Sequence, residues 1–157
     1  MLICIMEKNI THLYYINMKD IGFLISVIPQ LLVATICGGL IGWERERKNK
    51  VAGIRTNILI CVGSCIFTLA SMYLGSIYKS DPGRIMSTIV TGIGFLGAGV
   101  IMRDHDKIIG LTTAAFIWVV SAIGLLCGLG LIATPIFITI GLLIVIWFFG
   151  KYDKFLM

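Results

Sequence analysis

The chain has 157 residues, of which 58% are hydrophobic and 13% charged, with a mean hydropathy of +0.99 and a formal net charge of +5. Soluble domains average roughly half apolar residues and about a quarter charged. This composition excludes a disordered chain, a collagen, a coiled coil and most soluble enzymes, and it points to the membrane.

A bilayer core about 30 Å thick needs about 20 apolar residues in a helix. Uncharged runs cover Ile21 to Trp43, Thr56 to Tyr78 and Ile85 to Met102. A fourth, Ile108 to Gly150, is too long for one span and must fold back, with the break expected at Gly128-Leu129-Gly130 and Thr134-Pro135 opening the next helix. The expectation is an all-α polytopic membrane protein with five spans, at about 21–43, 57–78, 85–102, 110–128 and 132–149. Residues 1–20 form an N-terminal segment, 21–150 the helical bundle and 151–157 a short tail. Ten-residue alternating strands are absent, which excludes a barrel. Leu2–Met6 is too short for a signal peptide, and Met18 offers an alternative start.

Lysines and arginines orient the chain. Arg45, Arg47, Lys48, Lys50, Arg55, Arg103, Lys107, Lys151 and Lys154 fall on one side, against Lys8, Lys19, Lys79 and Arg84 on the other. This places the N-terminus outside and the C-terminus in the cytoplasm. The net positive charge is then a loop bias. No basic face with interleaved aromatics exists for a nucleic acid. The cysteines Cys4, Cys37, Cys61, Cys65 and Cys127 lie mostly within spans and read as packed thiols, without zinc or redox spacing.

Gly38 and Gly42 make a Gly-x-x-x-Gly face on the first span, and Gly124 and Gly128 make another on the fourth. Each suits a second copy of the chain or packing within it. Glu44-Arg45-Glu46-Arg47 follows the first face. Glu44 and Glu46 precede Lys48 and Lys50 by four residues, the favourable order for helical ion pairs. The segment reads either as a charged anchor or as an inward-turned functional cluster. Beyond it, Thr56 or Asn57 is a natural helix cap, and Arg55 can reach Glu44 across the loop.

Asp81-Pro82-Gly83-Arg84 opens the third span as a cap with a first-turn proline. Asp81, Arg84, Thr88, Gly92, Phe95 and Gly99 then share one helix face. Gly92, Gly94 and Gly97 match Gly-x-Gly-x-x-Gly, but inside a bilayer-spanning run with no carboxylate between 108 and 150 a dinucleotide site is rejected. Small residues on both sides of the third span, Gly92 and Gly99 against Gly94 and Gly97, predict that it is the centre of the bundle. Asp104-His105-Asp106 reads as exposed loop charge more readily than as a cation site. Thr112 and Thr113 open the fourth span, with hydroxyls free to bond back to their helix or across to the third.

None of the 8 carboxylates lies mid-span, and Gln30, beside Pro29, is the strongly polar residue nearest a span centre. Ionisable groups in mid-membrane usually mark an ion pathway. Their absence argues against an autonomous divalent-ion carrier, while leaving a site at the charged mouths open. No resident cofactor is expected. Mg²⁺ is the one ion left open, with Glu44 and Asp81 as its candidate ligands.

Gly-Leu-Ile-Gly-Trp-Glu-Arg-Glu-Arg at 39–47, Ala-Gly-Ile-Arg-Thr at 52–56, Asp-Pro-Gly-Arg-Ile at 81–85, Gly-Ile-Gly-Phe-Leu-Gly-Ala-Gly at 92–99, and Gly-Leu-Thr-Thr-Ala-Ala at 110–115 followed by Trp118 resemble the MgtC/SapB family in its order. The resemblance implies a bacterial inner-membrane protein tied to growth at limiting magnesium and, in pathogens, to survival in macrophages. It also implies action on another membrane protein, the F-type ATP synthase, in place of Mg²⁺ carriage. Where the family shows a Gln before its glycine run this chain has Thr88, and the chain is expected to be a short form without the family's cytoplasmic C-terminal domain. The favoured expectation is a non-enzymatic regulator working through helix contacts, since no nucleophile–base pair suggests an enzyme. The alternative is a transporter of Mg²⁺ or a small solute, with Gln30, Thr88 and Thr91 lining its path.

Overall fold

A computed structural model of the chain describes residues 2–105 and 107–152, with side chains over 22–105 and 107–149. Asp106 and the side chains of the N-terminal segment, Cys4 among them, and of the tail lie outside what is described. Five helices follow in order: α1 (Leu2–Arg47), α2 (Ile54–Tyr78), α3 (Gly83–Gly99), α4 (Leu111–Gly128) and α5 (Ala133–Tyr152). Gly22–Arg47, Ile54–Tyr78 and Leu111–Gly128 are long and apolar enough to cross a membrane. Gly83–Gly99, with 17 residues, and the apolar stretch Ala133–Phe149 stand at the lower limit of about 17. The all-α membrane class expected from the apolar runs is what the chain adopts.

α2 and α4 together form the centre of the bundle: α2 packs against α1, α4 and α3, and α4 touches all four other helices. α1 runs antiparallel to α2. A Cβ on Gly42 would lie 2.6 Å from Ile54 Cα, one on Gly38 2.8 Å from the Asn57 carbonyl oxygen, and the Phe23 and Tyr73 rings meet at 5.1 Å. α4 runs parallel to α2 on another side, where Gly124 meets the Cys61 carbonyl, and a Cβ on Gly128 would lie 2.5 Å from Thr68 Cβ. Both Gly-x-x-x-Gly faces are therefore occupied within the chain. Glycine has no Cβ, and only a glycine lets backbones come this close.

The central placement expected of the third span is overturned. Nothing lies within 4 Å of a Cβ built on Gly92, Gly94 or Gly99, and only Gly97 has a neighbour, Ala114, at ordinary contact distance. Glycines permit close approach without enforcing it. The approach is realised where the facing helix is also narrow, at Cys61, Ser64, Cys65 and Thr68 of α2. The stripe from Asp81 to Gly99 does share one face, and that face is open, with Phe95 83% exposed.

Connections differ in detail from the sequence expectations. α3 ends at Gly99, and a short antiparallel hairpin follows, β1 (Met102–Asp104) with β2 (Lys107–Ile109), pairing Met102 with Ile109. Gly110 then adopts φ +91° and sits against the Val100 carbonyl, closing the hairpin at its base. Any side chain there would meet both a strained backbone and that carbonyl. The break between α4 and α5 falls at Leu129–Gly130 as expected, with Gly130 at φ +82°. α5 starts at Ala133, however, so Thr134 and Pro135 lie inside its first turn.

Candidate functional site

The loops at one end of the bundle gather the residues that the sequence singles out. α1 ends in Glu44-Arg45-Glu46-Arg47, where basic side chains complement the negative end of the helix dipole. Arg45 turns inward. It is 3% exposed, and its guanidinium carbon stands 4.1 Å from the centre of the Phe116 ring on α4. Glu44 Oε2 is 3.9 Å from Arg45 Nη1, while Lys48 Nζ approaches Glu44 Oε1 at 2.6 Å, the i,i+4 pair expected. Neither Glu44 oxygen has hydrogen-bond geometry to a donor, and Arg45 Nε and Nη2 are buried without a partner. Glu46 pairs differently from expectation. α1 stops at Arg47, which takes Lys50 off the helix, and Glu46 Oε2 instead accepts the Ile54 N–H at 2.8 Å, capping α2 from outside. Arg47 lies over the Trp43 ring at 5.0 Å.

α2 begins at Ile54, ahead of the expected start at 57, so neither Thr56 nor Asn57 is its cap. Asn57 is fully buried one turn in, and its amide donates to the carbonyls of Ala52 and Gly53 at 2.9 and 2.8 Å. This pins the α1–α2 loop from the inside. Arg55 is exposed and forms no ion pair with Glu44 among the described residues. Thr112 and Thr113 reach the same end of the bundle. With Arg45, Asn49, Lys50 and Gly110 they line a cavity of about 210 Å³ between the α1–α2 loop, the hairpin and the start of α4.

The other charged mouth lies at the far end of α2. Asp81 Oδ1 accepts the Gly83 N–H at 2.8 Å, and Pro82 is already helical at φ −63°, so Asp81 acts as the cap of α3. Arg84 and Thr88 are exposed, and the Thr88 hydroxyl donates to its own helix at the Ile85 carbonyl. Ser71 ties this mouth to α2 through the Pro82 carbonyl at 2.6 Å. Glu44 and Asp81 therefore stand at opposite ends of α2 and share no site. Among the described residues no three His, Cys, Asp or Glu side chains converge on a metal position.

Between the mouths, α2 carries a feature that apolar windows conceal. Asn57, Ser64, Thr68 and Ser71 recur at helical spacing and are all buried, interleaved with Cys61 and Cys65. Ser64 and Ser121 share a hydrogen bond of 2.8 Å, and Thr68 donates to the Ser64 carbonyl at 2.8 Å. The spacing of these polar residues is present in the sequence, where each stands among apolar neighbours. Gln30, by contrast, lies against Gly130 at the α4–α5 turn, apart from Thr88 and Thr91 on α3. The three do not line a common path.

Comparison with known proteins adds to this geometry. A profile of the MgtC family matches residues 31–155. The chain belongs to the MgtC family. Protein MgtC of Salmonella typhimurium is 47% identical over 113 residues, covering 72% of this chain and 48% of its own length. Protein MgtC of Brucella abortus is 46% identical over 100 residues, 64% of this chain and 41% of its own. The chain thus spans about half the length of these MgtC relatives. No solved structure matches it. The profile covers α1 from Leu31 onward, both charged mouths, the hairpin and α4, so the MgtC match contains the whole candidate site.

Proposed function

We propose that this MgtC-family chain is a non-enzymatic regulator linked to Mg²⁺ homeostasis, acting by contact with another membrane protein. The observation that carries the reading is a groove of about 640 Å³ between α2 and α3, with almost wholly apolar walls. Gly63 and Gly92 line it with nothing within 4 Å of a Cβ, while Phe67 and Leu96 form exposed walls. Small residues beside an apolar trough suit a transmembrane helix. The resemblance suggests an F-type ATP synthase as the partner. The resemblance suggests a bacterial inner membrane, and the lysine and arginine bias supports an N-terminus outside and a C-terminus in the cytoplasm.

Gly63→Leu and Gly92→Leu test this reading. Each side chain enters open space, so the folded yield in detergent should match the parent. Each should also abolish rescue of a strain that needs the protein to grow at low magnesium. Full rescue by both folded variants would contradict contact through the groove.

The second reading is a transporter of Mg²⁺ or a small solute, and it draws on the buried polar stripe that joins the two charged mouths. The hydroxyls of Ser64, Thr68, Ser71 and Ser121 are each hydrogen-bonded to protein groups, however. That suits interhelical attachment better than a hydrated path.

A further inference from the structure

We propose that the cavity at the start of α4 binds a phosphate-type oxyanion. Three independent features converge on it. The first is charge: Arg45 and Lys50 line the cavity, and no carboxylate is among the described lining residues. Glu44, the nearest acid to Arg45, is already paired with Lys48.

The second feature is the state of Arg45. Its side chain is 4% exposed, yet Nε and Nη2 have no hydrogen-bond partner. These two nitrogens form one edge of the guanidinium, and that edge is closed off from the cavity, so what the residue offers the cavity it lines is its charge. The Phe116 ring covers the flat face of the group and makes no hydrogen bond to that edge. A buried cation without a hydrogen-bonded partner is costly unless an anion joins it.

The third feature is the helix terminus. α4 starts at Leu111, so the N–H groups of Leu111, Thr112 and Thr113 precede the first intrahelical bond, from Ala114 to the Gly110 carbonyl. Gly110 cannot cap them with a side chain, and the first turn holds no acidic residue. Unsatisfied amides and the positive end of the dipole favour an anion there. The hydroxyls of Thr112 and Thr113 add donors at the same rim. A cavity of about 210 Å³ far exceeds the roughly 10–15 Å³ that one water requires. A tetrahedral oxyanion fits together with the group that carries it.

The oxyanion can come from a lipid headgroup or from soluble phosphate, since the cavity sits at the end of the bundle where apolar helices meet charged loops. The test uses the full chain, delipidated in a phosphate-free nonionic detergent. It is titrated separately with inorganic phosphate and with short-chain phosphatidic acid, and binding is read by calorimetry and native mass spectrometry. Saturable one-site binding is expected, weakened about tenfold in Arg45→Gln, which removes the charge. Lys50→Gln changes an exposed loop residue, so its fold is preserved, and it should weaken binding severalfold. Binding of both probes, competing with each other, indicates soluble phosphate, and binding of phosphatidic acid alone indicates a lipid headgroup. No saturable binding of either probe by folded protein overturns the proposal. So does binding of equal strength in the parent and both variants.

Discussion

Ser64 of α2 and Ser121 of α4 share a hydrogen bond of 2.8 Å between two buried hydroxyls. The bond lies where Gly124 brings the α4 backbone against α2, so polar attachment and close packing occur at one place. In a bilayer, helices gain little from hydrophobic burial against each other, and such contacts decide which faces meet. A double-mutant cycle of Ser64→Ala and Ser121→Ala should return a coupling of about 0.6 kcal/mol, the average for interhelical bonds in membranes. Additive effects would show that the two hydroxyls do not act together.

The glycine faces predict opposite outcomes for superficially alike substitutions. Gly124→Val and Gly42→Val must push backbone against backbone, and overpacking of this kind costs about 1–3 kcal/mol or more. Both should lose folded yield in size-exclusion chromatography of detergent extracts. Gly94→Leu on α3 enters open space and should keep that yield.

The contrast with Gly94 shows what could be read without coordinates. Hydrophobic run lengths located all five helices, because a bilayer demands them whatever the neighbours are. The glycine pattern on α3 misled, because a small residue records permission to pack and carries no record of the partner. The stripe Asn57, Ser64, Thr68 and Ser71 was legible in its spacing but diluted by surrounding apolar residues. The hairpin at 102–109 is too short to leave a periodic signal, and its base closes where Gly110 meets the Val100 carbonyl. For the candidate site, the sequence marked Arg45, Thr112 and Thr113 as separate motifs. Only the fold places them around one cavity with Lys50.

Asp81 caps α3 through an oxygen that accepts the Gly83 N–H. Loss of the cap in Asp81→Ala should cost about 1 kcal/mol. Asp81→Asn retains an accepting oxygen and should restore both thermal stability and growth at low magnesium. If Asn restores stability but not growth, the carboxylate charge has a role beyond capping.

Glu46 offers a parallel case at the other mouth. Its carboxylate holds the Ile54 N–H at 2.8 Å, the first turn of α2. Glu46→Gln should keep most of that bond, while Glu46→Ala should lower the unfolding temperature, by the equivalent of about 1 kcal/mol. Equal unfolding temperatures for Ala and the parent would show that the loop holds without it.

A chain that acts by contact does not itself carry Mg²⁺. Mg²⁺ flux into proteoliposomes, with purified protein, an internal dye and an imposed gradient, tests it most directly. Flux no greater than in protein-free vesicles is expected, from protein shown to be folded. Flux above that background, lost in Glu44→Ala or Asp81→Ala, would contradict action by contact and make the chain a transporter.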